Sequence, residues 1–432
     1  MDFQSNLITG TPTAVSLRSQ LSSFWEGYNR AYHYANYGEA LAFARAAAGV
    51  QPDNPVIWSN IAVCHLRLGA FDDAIEAAER SVARDPRHFV AFDALSHAWG
   101  EKKDDRKTGE YGRRALELRD EIFGCAPAED RPAIRPPPPS AATRERNIIS
   151  FSLYGDRPRY CETAVMNARA RESVYPDWTC RFYVDKSVPG VTIGKLREAG
   201  AEVIFADQRM RRWPGPMWRF AALDENGAHR VIFRDADSLI SVREAETVRE
   251  WVESGRQFHG IRDWFTHTEL LLAGLWGATV GALPPMRLLV NRFLQAPLNS
   301  RHFADQHFLR QFVWPYARRD ILQHDRLFGF MSPRPLQGAD DLNTHHIGAN
   351  LSSGGISRRV DLADGVAVRW ELRETLPTPE GEAPGYRVVC SYSTVVQNGM
   401  LIEHLPKPWL DRMAKDMRIV FFHPKTGQPS GP

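Results

Sequence analysis

The chain has 432 residues, 43% of them hydrophobic and 25% charged, which is enough for two or more folded domains. Its 54 basic and 52 acidic side chains give a formal net charge of +2, so it is not built mainly to coat nucleic acid or anionic membrane. Five cysteines, an odd number without metal-ligand spacing, favour a reducing compartment. We expect a cytoplasmic protein, because the N-terminus lacks signal-peptide order and the longest uncharged run, 270–286, is too short for a transmembrane segment.

The first part of the chain repeats itself with a period of 34 residues, the distance between Ala40 and Ala74. Each unit predicts two amphipathic helices around a turn, and this pattern resembles the tetratricopeptide repeat. The third unit departs from it, since Thr108 stands where the small alanine is expected, as in a capping repeat. We therefore predict an all-α domain of tetratricopeptide-like helical repeats over residues 1–124.

Such an array has two possible uses. Stacked helix pairs leave a concave surface that can bind a protein partner or an acceptor protein. The same helices can instead pack on a second domain or pair two copies of the chain. The sequence leaves both uses open.

Two further segments flank the second large domain. Residues 125–146 contain four consecutive prolines, which favour an extended linker. Residues 359–432 contain alternating runs such as "VAVRWELRE" and "YRVVCSYSTVV", which predict a C-terminal extension of β-hairpins.

Between these segments, residues 147–358 alternate short apolar runs with helix-like stretches. The runs "NIISFSLYG", "CRFYVD", "EVIFAD", "RVIFRDADS" and "FHGIRD" predict the strands of a mostly parallel α/β sheet. Ligands of such sheets bind at the carboxyl ends of the strands. The loop after the first strand lacks the glycine patterns of dinucleotide and P-loop sites.

Asp235 and Asp237 follow the fourth predicted strand. In an extended segment, residues two apart point the same way, so both carboxylates can face one hard cation such as Mn²⁺ or Mg²⁺. A metal held there would neutralise the diphosphate of a substrate. Alternatively, the pair is only a solvated strand end.

The surrounding motifs resemble a known family. "NIISFSLYG", then "YPDWTCRFYVD", then "MWRFAAL" shortly before "VIFRDADS", are similar to nucleotide-sugar glycosyltransferases of the GT-A fold, in particular a bacterial group associated with capsules and polysaccharides. The resemblance covers about residues 147–351. It implies a Rossmann-like GT-A domain, a UDP- or GDP-sugar donor and a saccharide or protein acceptor.

That resemblance assigns roles to individual residues. It implies a metal set of Asp235, Asp237 and His345, the last from an H-x-x-G pattern ending at Gly348, with His346 as the alternative ligand. No lysine follows closely after Gly348, where the family pattern has one.

Further residues are candidates for the donor and the reacting sugar. Asp305 and Gln306 match a pair found near the sugar in some retaining members, and Asp263 is a rival acceptor-side base. Donor contacts are predicted for Ser152, Tyr154, Arg219, Asp235 and Gly348.

The sequence thus favours a metal-dependent glycosyltransferase of the hexosyltransferase type, with retention weakly preferred. One alternative is a protein-binding repeat scaffold with an inactive transferase-like domain. Another is a metal-dependent nucleotide-sugar hydrolase that uses the same carboxylates.

Overall fold

The structure is a computed structural model that describes residues 12–125, 147–225, 227–298, 300–301, 303–336, 346–350, 354–377, 385–413 and 415–429. Of the predicted linker at 125–146, only Cys125 is among the described residues. None of the described helices has both the length and the apolar character that a bilayer span requires.

From Pro12 to Cys125, the described N-terminal region contains six helices, each of which packs on the next. They are α1 (Pro12–His33), α2 (Tyr37–Val50), α3 (Pro55–Arg67), α4 (Phe71–Arg84), α5 (Phe89–Glu101) and α6 (Asp105–Phe123). The periodic alanines Ala40 and Ala74 are fully buried between helices, which is why the pattern requires a small side chain there. Side chains also cap the helices: Asn54 accepts a hydrogen bond from the Val56 backbone at the start of α3, and Asp104 accepts one from Lys107 at the start of α6.

The third unit, α5 and α6, packs directly against the second domain. Three of its glycines allow this close approach, because a Cβ at Gly100 or Gly112 would lie 2.3 Å from the ring of Phe265 or Phe328, respectively. A Cβ at Gly109 would lie 2.5 Å from a backbone oxygen of the same contact region. The third unit therefore departs from the repeat pattern where the second domain docks.

The second domain is built on a seven-stranded sheet. Its strands are β1 (Asn147–Leu153), β2 (Trp178–Val184), β3 (Glu202–Phe205), β4 (Arg230–Arg234), β5 (Phe258–Arg262), β6 (Trp276–Thr279) and β7 (Ile321–Asp325), in the spatial order β3-β2-β1-β4-β6-β5-β7. Only β6 runs antiparallel to its neighbours, so the sheet is mixed. The predicted α/β domain is confirmed, and its other strand pairs are parallel, but the sheet as a whole is mixed.

Hydrophobic cores cover both faces of this sheet. In β4, Val231 and Phe233 lie in one core and Ile232 in the other, because successive side chains of a strand point to opposite faces. One core includes residues of α7 (Pro158–Val174), α8 (Gly190–Glu198) and α9 (Val242–Ser254). The other includes residues of a 3₁₀ segment (Gly215–Asp224), α10 (Met286–Phe293), α11 (Ala304–Phe308) and α12 (Trp314–Ala317).

The strand order reverses between β1 and β4. From β1 the chain builds outward through β2 and β3, and it then returns to place β4 on the other side of β1. The loops after these two parallel strands consequently diverge and leave a crevice, where open α/β sheets bind ligands. Tyr154 follows β1, and Asp235 and Asp237 follow β4, so all three belong to this edge of the sheet.

The C-terminal region forms two small antiparallel sheets, as the hairpin pattern predicts. Strand β8 (Gly354–Arg359) pairs with β11 (Met400–Leu405), and β9 (Ala367–Thr375) lies between β10 (Tyr386–Val395) and β12 (Met417–Phe421); a short helix, α13 (Lys407–Leu410), precedes β12. The predicted boundary between residues 358 and 359 therefore falls inside β8. This region packs on α7, where the Tyr392 hydroxyl donates to Glu162 over 2.6 Å.

Candidate functional site

A cleft of about 750 Å³ opens at the point where the strand order reverses. Its lining comes from the end of β1, the start of α7, the 3₁₀ segment, the stretch after β4, the loop before β6, the start of α11 and residues 348–350. The structure brings most of the predicted site residues together in this lining: Ser152, Tyr154, Arg219, Asp235, Asp237, Asp305, Gln306 and Gly348.

Arg219 connects two of the predicted carboxylates. Its buried guanidinium donates from Nη1 to Asp235 Oδ1 over 2.5 Å and from Nη2 to Asp305 Oδ2 over 2.9 Å. Strand β1 holds the 3₁₀ segment in place at Arg219, since the Ser152 hydroxyl accepts from the Arg219 backbone N–H over 2.9 Å. Asp235 and Asp305, 70 positions apart in sequence, thus face the same cation.

The three aspartates of the cleft differ in their readiness to ionise. Burial works against the Asp235 carboxylate, but the ion pair and hydrogen bond from Arg219 outweigh it and lower its pKa. Burial and then the charge of Asp235 raise the pKa of Asp237 to about 6. Burial also raises the pKa of Asp305, against the opposing charge of Arg219. Two carboxylates that repel each other in a recessed cleft favour binding of a cation.

The raised pKa of Asp237 predicts a gain in stability when its charge is removed. The folded protein binds this proton more tightly than the unfolded chain does, so the penalty is absent below about pH 4 and appears as pH rises through about 6. Asp237→Asn is therefore expected to raise the unfolding free energy at pH 7, in EDTA, by up to about 2 kcal/mol. Urea unfolding at pH 4 and pH 7 measures this, and equal stability of the two proteins at pH 7 would contradict it.

The carboxylates of Asp235 and Asp237 suit a hard divalent cation, both in their chemistry and in the space around Asp235. Half of the Asp235 side chain is exposed to the cleft, and a Cβ at Gly274 would lie 2.1 Å from its Oδ2, so only glycine leaves space for this carboxylate. Asn350 adds an amide that donates to Asp237 over 2.9 Å. Oxygen donors of this kind are those that Mg²⁺ and Mn²⁺ prefer.

The predicted third ligand, His345, lies outside the described residues. Its alternative, His346, stacks on Trp264 with ring centroids 4.6 Å apart. Within the described ranges, no group of three His, Cys, Asp or Glu side chains is placed to hold a metal ion. His346 accordingly does not complete a three-ligand set with the two aspartates in this structure.

The remaining predicted residues take different positions. Gln306 lines the cleft, but its amide is engaged with the backbone of the loop before β6: its Oε1 accepts from Ala273 N over 3.1 Å and its Nε2 donates to Leu271 O. Tyr154 is 42% exposed and packs edge-on against Trp218, and burial in the cleft raises its pKa to about 12. Gly348 has a φ of +85°, a conformation that favours glycine.

Asp263 does not line the cleft, contrary to the role predicted for it. It is fully buried, and its two oxygens accept from Arg243 over 2.6 and 3.0 Å. One of them also accepts from the backbone N–H of Ile347 over 2.8 Å. Its contacts therefore position the segment that carries Gly348 and Asn350.

Several lining residues were missed by the sequence reasoning. Arg159 and Tyr160, in the first turn of α7, line the cleft, and the Arg159 guanidinium lies over the Tyr160 ring at 4.5 Å. Glu269 also lines it and pairs with Arg119 of α6 over 3.4 Å. The signal for the first two was their place just after the first βα loop, where ligands of α/β sheets bind. Glu269 had no comparable signal.

Comparison with known proteins bears on the N-terminal region. Residues 32–96 match the tetratricopeptide repeat family. The predicted helical repeats are thus confirmed.

Three solved structures illustrate the similarity. The Arabidopsis OM64 TPR domain is 20% identical, and the match covers 24% of this chain and 87% of that one, with a TM-score of 0.24. The yeast Sti1 TPR2B domain, solved as a pHsp70 complex, is 16% identical over 24% and 83% of the two chains, also with a TM-score of 0.24. The Sgt2 TPR domain from Aspergillus fumigatus is 21% identical over 29% and 93%, with a TM-score of 0.22. These scores are too low to support an argument beyond the family match.

Proposed function

We propose that the chain is a metal-dependent glycosyltransferase of the GT-A type, which moves a sugar from a nucleoside-diphosphate donor to a saccharide or protein acceptor. The observation that supports this most is the grouping of Asp235, Asp237, Arg219 and Asp305 in one cleft where the strand order reverses. Carboxylates for a cation, a buried arginine and a second buried acid are the groups that a charged donor and its leaving diphosphate require.

In this proposal Asp235 and Asp237 hold Mn²⁺ or Mg²⁺. When bound, the ion supplies positive charge that neutralises the donor diphosphate. Arg159, which also lines the cleft, adds a cation, and its Nε is buried without a hydrogen-bond partner among the described residues. Tyr154 offers an aromatic face for the nucleotide base.

Asp305 is the carboxylate proposed to lie on the sugar side. Arg219 donates a hydrogen bond to it. Because its pKa is raised, Asp305 binds a proton more readily than Asp235 does. Arg219 keeps the two acids at a fixed separation through its planar fork of donors.

The helical repeats are proposed to recruit the acceptor or a protein partner. A groove of about 320 Å³ on their surface is lined by polar and aromatic side chains, including Arg45, Trp58, His65 and Glu76. Because α5 and α6 dock on the second domain, we assign partner binding to α1–α4.

A panel of nucleotide sugars tests the proposal. One of them should raise the melting temperature in Mn²⁺ and not in EDTA, because a ligand that binds only the folded state stabilises it. Product analysis then separates the alternatives. Transfer to an acceptor, with release of the nucleoside diphosphate, supports the proposal. Nucleoside monophosphate would indicate a pyrophosphatase, and no binding of any donor would favour the inactive scaffold.

The space beside Asp235 gives a second test. Gly274→Ala is expected to weaken metal-dependent nucleotide binding at least tenfold, because the added methyl group occupies the position of the Asp235 carboxylate. Gly194→Ala is the matched control: it lies in α8 with nothing within 4 Å of the added Cβ, and it should leave binding unchanged while stabilising the helix by about 0.5–1 kcal/mol. Titration calorimetry measures both, and unchanged binding in Gly274→Ala would count against the metal site.

A further inference from the structure

A second groove, of about 930 Å³, is lined by four arginines and by no acidic side chain. The arginines are Arg209, Arg212, Arg287 and Arg301, and all four are exposed. Among the described residues, no hydrogen bond or ion pair engages their guanidinium groups. A chain whose formal net charge is only +2 has thus gathered four cations around one groove.

Two acids that contact the segments carrying these arginines are engaged with backbone groups. Asp207 accepts from the backbone N–H of Met210 over 2.7 Å. Asp224 accepts from the backbone N–H groups of Met286 and Arg287 at the start of α10, over 2.5 and 2.8 Å. These carboxylates fix the segments that carry the arginines, and neither of them lines the groove.

Two segments of the chain contribute residues to both the groove and the candidate active cleft. One segment carries Arg212 into the groove and, seven positions later, Arg219 into the cleft. The other carries Arg301 into the groove and, four positions later, Asp305 into the cleft. The groove is thus linked through the chain to the part of the cleft that holds Arg219 and Asp305.

We propose that this arginine groove binds an oxyanion-bearing acceptor, such as a phosphorylated saccharide, and presents it to Asp305. This inference rests on the proposed transferase function. Guanidinium groups bind phosphate and carboxylate oxygens through two parallel hydrogen bonds, and four adjacent cations repel one another until an anion lies between them. The volume of the groove lies within the usual range for small-ligand sites. Trp213 and Leu294 add apolar surface for the uncharged part of such an acceptor.

Calorimetry on the full chain tests this, with inorganic tripolyphosphate as the probe and EDTA present so that no metal mediates its binding. The wild type should bind the probe, and Arg212→Gln/Arg301→Gln should bind it at least tenfold more weakly. The control Arg169→Gln/Arg197→Gln removes the same charge from exposed positions on α7 and α8, and it should bind like the wild type. Undiminished binding by the groove variant, or an equal loss in the control, would overturn the proposal.

Two further measurements separate the possible outcomes. Co-sedimentation with vesicles of phosphatidylcholine, with and without phosphatidic acid, shows whether the oxyanion belongs to a lipid-linked or a soluble ligand. A loss of vesicle binding or of tripolyphosphate binding that is confined to the groove variant supports the proposal. UDP and GDP binding in Mn²⁺ should be the same in wild type and groove variant. Suppose that the wild type binds neither nucleotide, and that only the groove variant loses tripolyphosphate binding. The transferase function then fails and the anion site stands.

Discussion

Replacing Arg119 by leucine is expected to lower the free energy of unfolding by about 3 kcal/mol. Arg119 is buried in α6, where it binds Asp93 through both carboxylate oxygens and pairs with Glu269 of the second domain. The charges of these acids outweigh the cost of burial and raise the pKa of the guanidinium. Removing the cation leaves Asp93 without its bidentate partner, and Glu269 then keeps, among the described residues, only its pair with Arg310, over 3.1 Å. Urea unfolding followed by tryptophan fluorescence measures the loss.

Arg114→Leu is the matched control in the same helix. Arg114 is 40% exposed and its pairs with Glu117 and Glu121 lie at 3.4 and 3.5 Å on the surface, so its loss should cost less than about 1 kcal/mol. Equal effects of the two substitutions would show that the buried network does not hold the two domains together.

The Arg119 network also reaches the candidate active cleft. Glu269, its partner, lies in the loop before β6 that lines the cleft. The same loop is held by the repeats at Phe265, whose carbonyl accepts from the Ser96 hydroxyl over 3.1 Å. The helical repeats thus support one wall of the cleft, besides any partner that they bind.

Asp235→Asn is expected to reduce turnover of the donor by about 10²–10³-fold. The substitution removes a proposed metal ligand and leaves the buried Arg219 with Asp305 as its remaining carboxylate partner. Asp177→Asn is the control, since this exposed aspartate precedes β2 at the opposite end of the sheet. Initial rates of nucleoside diphosphate release measure both variants. A rate for Asp235→Asn within a few-fold of the control would exclude the assigned role.

The sequence predicted much of the fold because its periodicities are local. The 34-residue repeat located α1–α6, and the apolar runs located β1–β5. Strand β6 was missed because Trp276–Thr279 lies inside a longer apolar run that fits buried core of any kind. Its antiparallel direction depends on which neighbours it pairs with, and no local pattern records that.

Site residues could be predicted from the sequence where they directly follow strands. They were harder to predict where a side chain's binding partner is distant in sequence. Asp235 and Asp237 follow β4, so the sheet alone places them at the ligand edge. Asp263 follows β5 in the same way, yet it pairs with Arg243 rather than lining the cleft. Arg243 lies 20 positions away in sequence, and only tertiary packing brings α9 to this carboxylate.

Binding of UDP and GDP by titration calorimetry, in Mn²⁺ and in EDTA, tests the central claim most directly. The wild type should bind one of the two nucleotides in Mn²⁺ and bind it at least tenfold more weakly in EDTA. Asp237→Asn should lose this metal dependence while remaining at least as stable as the wild type at pH 7, so misfolding cannot explain the loss. Failure of both nucleotides to bind the wild type in Mn²⁺, or unchanged metal-dependent binding in Asp237→Asn, would contradict the account.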